Sequence, residues 1–118
     1  MLHLDENPSL VQIYDALYRL GIIGNYLGFF YTAYAVWLCL RQPERLLFVT
    51  KWLYPDVAAH YKTNWLAVER DIRTVITIIW ERNPSSLSQL AGYQLTEKPK
   101  PAQFLTLLVS SISSHSAA

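Results

Sequence analysis

The sequence is poor in the residues that mark several protein classes. It has one cysteine, Cys39, so no disulfide can form within the chain. Charged residues make up only 16% of its 118 positions, and ten basic against nine acidic side chains leave a net charge of +1, too little for a general attraction to polyanions. The start of the chain lacks the pattern of a secretory signal. We therefore expect a cytoplasmic protein.

Apolar and aromatic side chains are abundant instead. They account for 52% and 14% of the residues, enough for one domain with its own core over residues 1–118, of which we expect residues 113–118 to form a frayed tail. Prolines and glycines fall at intervals that suit short helices. The prediction is an all-α fold, a compact bundle of six to seven helices that contains a helix-turn-helix.

Local signals place these helices. Asn7 is predicted as the N-cap of the first helix, which ends at Gly21. The next two helices are predicted at about residues 26–40 and 43–53, and a short helix that starts at residue 55 leads to a tight turn at 62–64. Two further helices are predicted at about 64–82 and 86–91. The last helix follows the loop at 96–100 and points four apolar side chains inward: Phe104, Leu105, Leu108 and Ile112.

The stretch from Leu20 to Leu40 contains no charged residue and, if wholly helical, matches the roughly 30 Å thickness of a bilayer core. A membrane span is therefore one interpretation. Gly21, Gly24 and Gly28 interrupt the stretch, which favours a turn at Gly21 to Gly24 followed by a buried helix.

Two helices joined by a short turn at residues 62–64 form the helix-turn-helix pattern, whose second helix enters the DNA major groove. At 100° per residue, Arg70, Arg73 and Thr77 lie opposite the apolar stripe of that helix, with Leu66 beside them. Two arginines one turn apart suit bidentate contacts to guanine. The alternative is an ordinary surface helix, on which Glu69 and Arg73 form an i, i+4 ion pair.

Several motifs occur in order along the chain: Thr50-Lys51-Trp52-Leu53-Tyr54-Pro55-Asp56-Val57-Ala58, Val68-Glu69-Arg70-Asp71-Ile72-Arg73, Leu90-Ala91-Gly92-Tyr93 and Lys98-Pro99-Lys100-Pro101. Over about residues 10–112 the chain resembles the C-terminal DNA-binding domain of the master sporulation response regulator of endospore-forming bacteria. The resemblance implies an all-helical domain that reads a TGTCGAA-type box on double-stranded DNA, with two domains in tandem on adjacent boxes.

The same resemblance implies roles for individual residues. Arg70 and Arg73 are expected to donate to guanine, and Glu69 to accept from cytosine N4 or to orient an arginine. Their charge and position, rather than the resemblance, make Lys51, Lys62 and Arg82 the expected phosphate contacts, together with Thr63. The chain leaves no room for the receiver domain of such regulators, so we expect a stand-alone effector domain that is not switched by its own phosphorylation.

The chain also departs from the pattern of this family. Leu27, Ala33 and Tyr34 stand where polar residues are expected, and Asp71 stands where the family commonly has an uncharged residue. The last helix lacks basic residues at its end. Phosphate affinity should therefore be lower, since each lost cation weakens the counterion-release contribution.

Aromatic side chains spread around most of the second helix, so some should meet a partner. We expect a protein interface at Phe29, Phe30, Tyr34 and Trp37, with a second copy of the chain, the full-length sporulation regulator or RNA polymerase as the partner. The alternative function is therefore an interaction protein that does not bind DNA and titrates a related regulator through this helix.

Catalytic and metal chemistry find little support in the sequence. His3, His60 and His115 are scattered, without cysteines or carboxylates at ligand spacing. Cys39 lies in an apolar helix, where a small buried hydrophobe is the simpler interpretation. We expect no enzyme activity, no cofactor and no metal.

Overall fold

A computed structural model describes residues 7–22 and 26–116, except for the side chains of residues 115 and 116. Within these residues the chain forms helices and turns and no strand, as the sequence predicts. In order, the elements are α1 Leu10–Arg19, α2 Leu27–Arg41, a 3-10 helix Pro43–Leu47, a π-helical segment Val49–Leu53, α3 Tyr54–His60, α4 Trp65–Arg82, α5 Pro84–Ala91 and α6 Pro101–Ser116.

The first helix begins later than predicted. Ser9 is its N-cap: the Gln12 N–H donates to Ser9 Oγ at 3.2 Å, and the Ser9 N–H donates to Gln12 Oε1 at 2.7 Å. This reciprocal capping box satisfies two backbone donors at once, which is why it outweighs the predicted Asn7 cap. After the helix, Gly21 takes a φ of +86°. The rest of the predicted turn, including Gly24, lies outside the described residues.

The single helix predicted at 43–53 is also wrong, because the backbone breaks at Phe48, with φ −139° and ψ 53°. Before the break, Arg45 is buried and forms an ion pair with Asp56 of α3. Its Nε donates to Gln42 Oε1 at 3.0 Å, and its guanidinium lies 4.7 Å from the Trp52 ring centre. These tertiary contacts hold the segment in two short pieces.

The centre of the bundle is α2, which packs against α1, α4 and α6. At Gly28 the backbones of α2 and α4 come so close that an added Cβ would lie 2.2 Å from the carbonyl oxygen of Asp71. The predicted inward faces of α4 and α6 are confirmed, since the apolar residues at helical spacing on those faces are buried: Val68, Ile72, Val75, Ile76, Ile79, Phe104, Leu105, Leu108 and Ile112.

Most of the uncharged stretch lies in α2. Among the helices of the described residues, none combines the length and the apolar character needed to cross a bilayer.

Candidate nucleic-acid interface

The turn between α3 and α4 has the geometry of a helix-turn-helix. After α3 ends at His60, Lys62 adopts a left-handed conformation with φ +57°, and the Thr63 N–H donates to the Ala58 carbonyl at 2.9 Å. Asn64 then caps α4, because its side chain accepts from the Ala67 N–H at 2.9 Å. The predicted tight turn is confirmed, and it fixes where α4 begins.

The outward face of α4 carries a narrow row of four residues. At 100° per residue, Leu66, Arg70, Arg73 and Thr77 fall within a sector of about 60°. This row, which we call the outer row, lies opposite the buried stripe of α4. Leu66 and both arginines of the row are exposed.

Neither arginine is covered by another part of the described chain. The side chain of Arg70 is 71% exposed and that of Arg73 is 55% exposed. Both make ion pairs within α4: Arg70 Nε lies 3.2 Å from Asp71 Oδ1, and Arg73 Nη2 lies 2.6 Å from Glu69 Oε1. Exposed pairs of this kind contribute only about 0.2–1 kcal/mol, so either guanidinium can exchange its partner.

Glu69 lies at the side of α4 rather than in the outer row. Its carboxylate accepts the hydrogen bond from Arg73, which matches the arginine-orienting alternative of the two expected roles. It also lies near Tyr54, the first residue of α3. Burial, with a smaller contribution from the negative charge of Glu69, raises the pKa of Tyr54 to about 12.

The four residues predicted to contact phosphate are spread along the motif. Lys51 is exposed in the π-helical segment, and Lys62 and Thr63 occupy the turn. Arg82 is exposed at the last position of α4, about 25 Å along the helix axis from its first residue. Lys62 and Arg82 therefore lie near opposite ends of α4, and Arg82 lies about 160° around the helix from Leu66, away from the outer row.

One cation beside the outer row was missed by the sequence analysis. Lys98 lies in the loop between α5 and α6, and its Nζ donates to Thr77 Oγ1 at 2.9 Å. The next residue, Pro99, is buried and anchors the loop. The Lys98-Pro99-Lys100-Pro101 motif marks this loop in the sequence, but no local pattern predicts that the loop folds back onto α4.

The predicted protein interface on α2 is largely internal. Phe29 is only 2% exposed and contacts the rings of Tyr14 and Tyr18 at 5.5 and 5.1 Å, so the prediction that it faces a partner is wrong. Phe30 is half-buried and packs edge-on against Phe29. An apolar helix that others surround on several sides leaves little free surface.

Tyr34 and Trp37, the other two predicted interface residues, belong to a stack of four flat groups. The guanidinium of Arg41 lies 4.0 Å from the Trp37 ring, Trp37 stacks on Tyr34 at 5.5 Å, and Tyr34 stacks on His60 at 4.0 Å. This stack joins α2 to the end of α3. The two aromatic rings therefore face each other and His60 more than solvent.

The structure also bears on the cysteine and on the metal-ligating residue types. Burial raises the pKa of the Cys39 thiol to about 12, which fits a packing role. Among the described residues, no group of three or more histidine, cysteine or acidic side chains comes together as a metal site. His3 and the side chain of His115 lie outside those residues.

The family model described as the sporulation initiation factor Spo0A C terminal matches residues 13–112. The matched region runs from α1 into α6 and includes the turn, the outer row and the loop that carries Lys98.

Proposed function

Because the chain belongs to the family of the Spo0A C-terminal domain, a family of sporulation DNA-binding regulators and not of enzymes, we propose that it is a sequence-specific transcription regulator. In this proposal α4 enters the major groove of a TGTCGAA-type box in bacterial DNA. The observation that carries the proposal is the exposure of Arg70 and Arg73, side by side on the second helix of a helix-turn-helix.

The proposed roles follow from the geometry of these groups. Arg70 and Arg73 donate to guanine O6 and N7, the commonest base-specific contact in protein–DNA complexes. Glu69 orients Arg73 or accepts from cytosine N4 once Arg73 has turned to its guanine. The proposed phosphate contacts are Lys62 and Thr63 of the turn, Arg82 at the end of α4, Lys51 of the π-helical segment and, in addition, Lys98 of the loop before α6.

The electrostatics of α4 favour discrimination over tight non-specific binding. Glu69 and Asp71 cancel the charges of Arg70 and Arg73, and the whole chain carries only +1. Non-specific affinity depends on neutralised phosphates, each of which adds about −0.9 to the slope of log K against log salt. We therefore expect a shallow salt dependence on scrambled DNA.

Fluorescence anisotropy with a box duplex and a scrambled duplex tests this proposal at several salt concentrations. Arg70→Ala and Arg73→Ala should each weaken box binding by about 1–3 kcal/mol, roughly 5- to 150-fold, because each removes a bidentate contact. Equal binding of both duplexes by the wild-type protein at every salt concentration refutes specific reading.

Arg19→Ala is the matched control. Arg19 lies on α1, is 79% exposed, and pairs with Asp15 at 2.7 Å in the same i, i+4 arrangement as Arg73 with Glu69. The control therefore removes the same charge and the same kind of ion pair from a different helix. It should leave the preference for the box unchanged.

The burial of α2 argues against the alternative function, a titrating interaction protein. Within α2, only Leu27 is largely exposed, and eight of its fifteen residues are buried. A docking helix needs a wider free apolar face. Two results together would favour the alternative. The Arg70→Ala and Arg73→Ala proteins would still bind a full-length regulator, and the wild-type protein would show no preference for the box duplex.

A further inference from the structure

The outer row of α4 begins with an apolar residue that the proposed arginine contacts leave unexplained. Leu66 lies in the second helix of the motif and is 62% exposed. Exposed apolar side chains are common on protein surfaces, and Leu47 is more exposed still at 77%. Exposure alone therefore does not mark Leu66 as a contact residue.

Leu66 differs from other exposed apolar residues in its position on α4. It lies one turn before Arg70 and two turns before Arg73, at an angle about the helix axis between theirs. Helical side chains lean toward the N terminus of their helix, so Leu66 extends the outer row over the first turn of α4. In a helix-turn-helix, the N-terminal residues of the second helix are those that reach base edges.

The chemistry of the major groove offers one apolar partner for such a side chain. Among the four bases, only thymine presents a methyl group there, and apolar side chains read it by contact. We infer that Leu66 packs against the C5-methyl group of a thymine in the bound site, so that the outer row reads thymine as well as guanine. This inference rests on the proposed function.

Replacing each thymine of a TGTCGAA duplex in turn by deoxyuridine removes the methyl group alone. At one position, wild-type affinity should fall about three- to fivefold, the effect of burying one methyl group. Leu66→Ala should bind the unmodified box several-fold more weakly and lose its sensitivity to that methyl group. The control Leu47→Ala removes the same side chain from an exposed site outside α4 and should match the wild type in both respects.

The outcomes separate this inference from the proposed function. A box-specific wild-type protein that is indifferent to every thymine methyl overturns the inference and leaves the proposed function standing. Retained methyl sensitivity in Leu66→Ala has the same meaning. Equal binding of box and scrambled duplexes by the wild type overturns both.

Discussion

Gly28→Ala tests how closely the backbones of α2 and α4 approach each other. An ideal Cβ at this position would lie 2.2 Å from the carbonyl oxygen of Asp71 and 2.6 Å from Cγ2 of Val75. Both distances are well inside van der Waals contact. The first obstacle is backbone of α4, which cannot move aside as the end of a side chain can.

The size of the effect follows from two opposing terms. Alanine is favoured over glycine inside a helix by about 0.5–1 kcal/mol. Overpacking typically costs about 1–3 kcal/mol, and a clash with backbone belongs at the upper end. We therefore expect Gly28→Ala to lower the free energy of unfolding by about 2 kcal/mol, roughly 5–10 °C in Tm.

Urea and thermal unfolding followed by circular dichroism measure this loss. Leu27→Ala is the control, because Leu27 is the adjacent residue of the same helix and its side chain is exposed. It should change stability by less than about 0.5 kcal/mol. A Gly28→Ala protein as stable as the parent would mean that α2 and α4 do not approach each other as described.

Three further predictions concern buried groups. Thr32 is fully buried, and its hydroxyl has no hydrogen-bond partner among the described residues, so Thr32→Val should stabilise the protein by about 1 kcal/mol in urea unfolding; a loss of stability would reveal a partner. Cys39, whose pKa is raised to about 12, should resist a thiol reagent at pH 8 until the protein is unfolded, and rapid labelling of the native protein would contradict its burial. Burial raises the pKa values of Tyr54 and Tyr61 from 10 to about 12. Below pH 10 both tyrosine side chains are protonated in the folded and in the unfolded protein. Between pH 10 and 12 they ionise first in the unfolded chain, so the free energy of unfolding should fall as the pH rises across this window. Absorbance at 295 nm should then show two tyrosines ionising late, and a uniform titration near pH 10 would refute their burial.

Helical periodicity made α4 predictable, because its apolar residues recur at helical spacing and the fold buries that face. The start of α1 was predicted wrongly. Asn7 was the predicted cap, but the side chains of Ser9 and Gln12 satisfy two backbone donors reciprocally and set the start of the helix.

Other features depended on tertiary contacts that no local pattern contains. The break at Phe48 follows a segment in which buried Arg45 binds Asp56. The burial of Phe29 could not be predicted, because α2 is apolar around most of its circumference. Hydrophobic periodicity therefore does not distinguish the inner face of this helix from the outer face. Lys98 reached the outer row only because its loop folds back onto Thr77.

The two ion pairs on α4 give each of its arginines a carboxylate acceptor within the same helix. Under the proposed function, a base must compete with that carboxylate for guanidinium N–H groups, so a base with a poorer acceptor gains less from the arginine. Removing that internal competitor, as in Asp71→Asn, should tighten binding to wrong sequences more than to the right one.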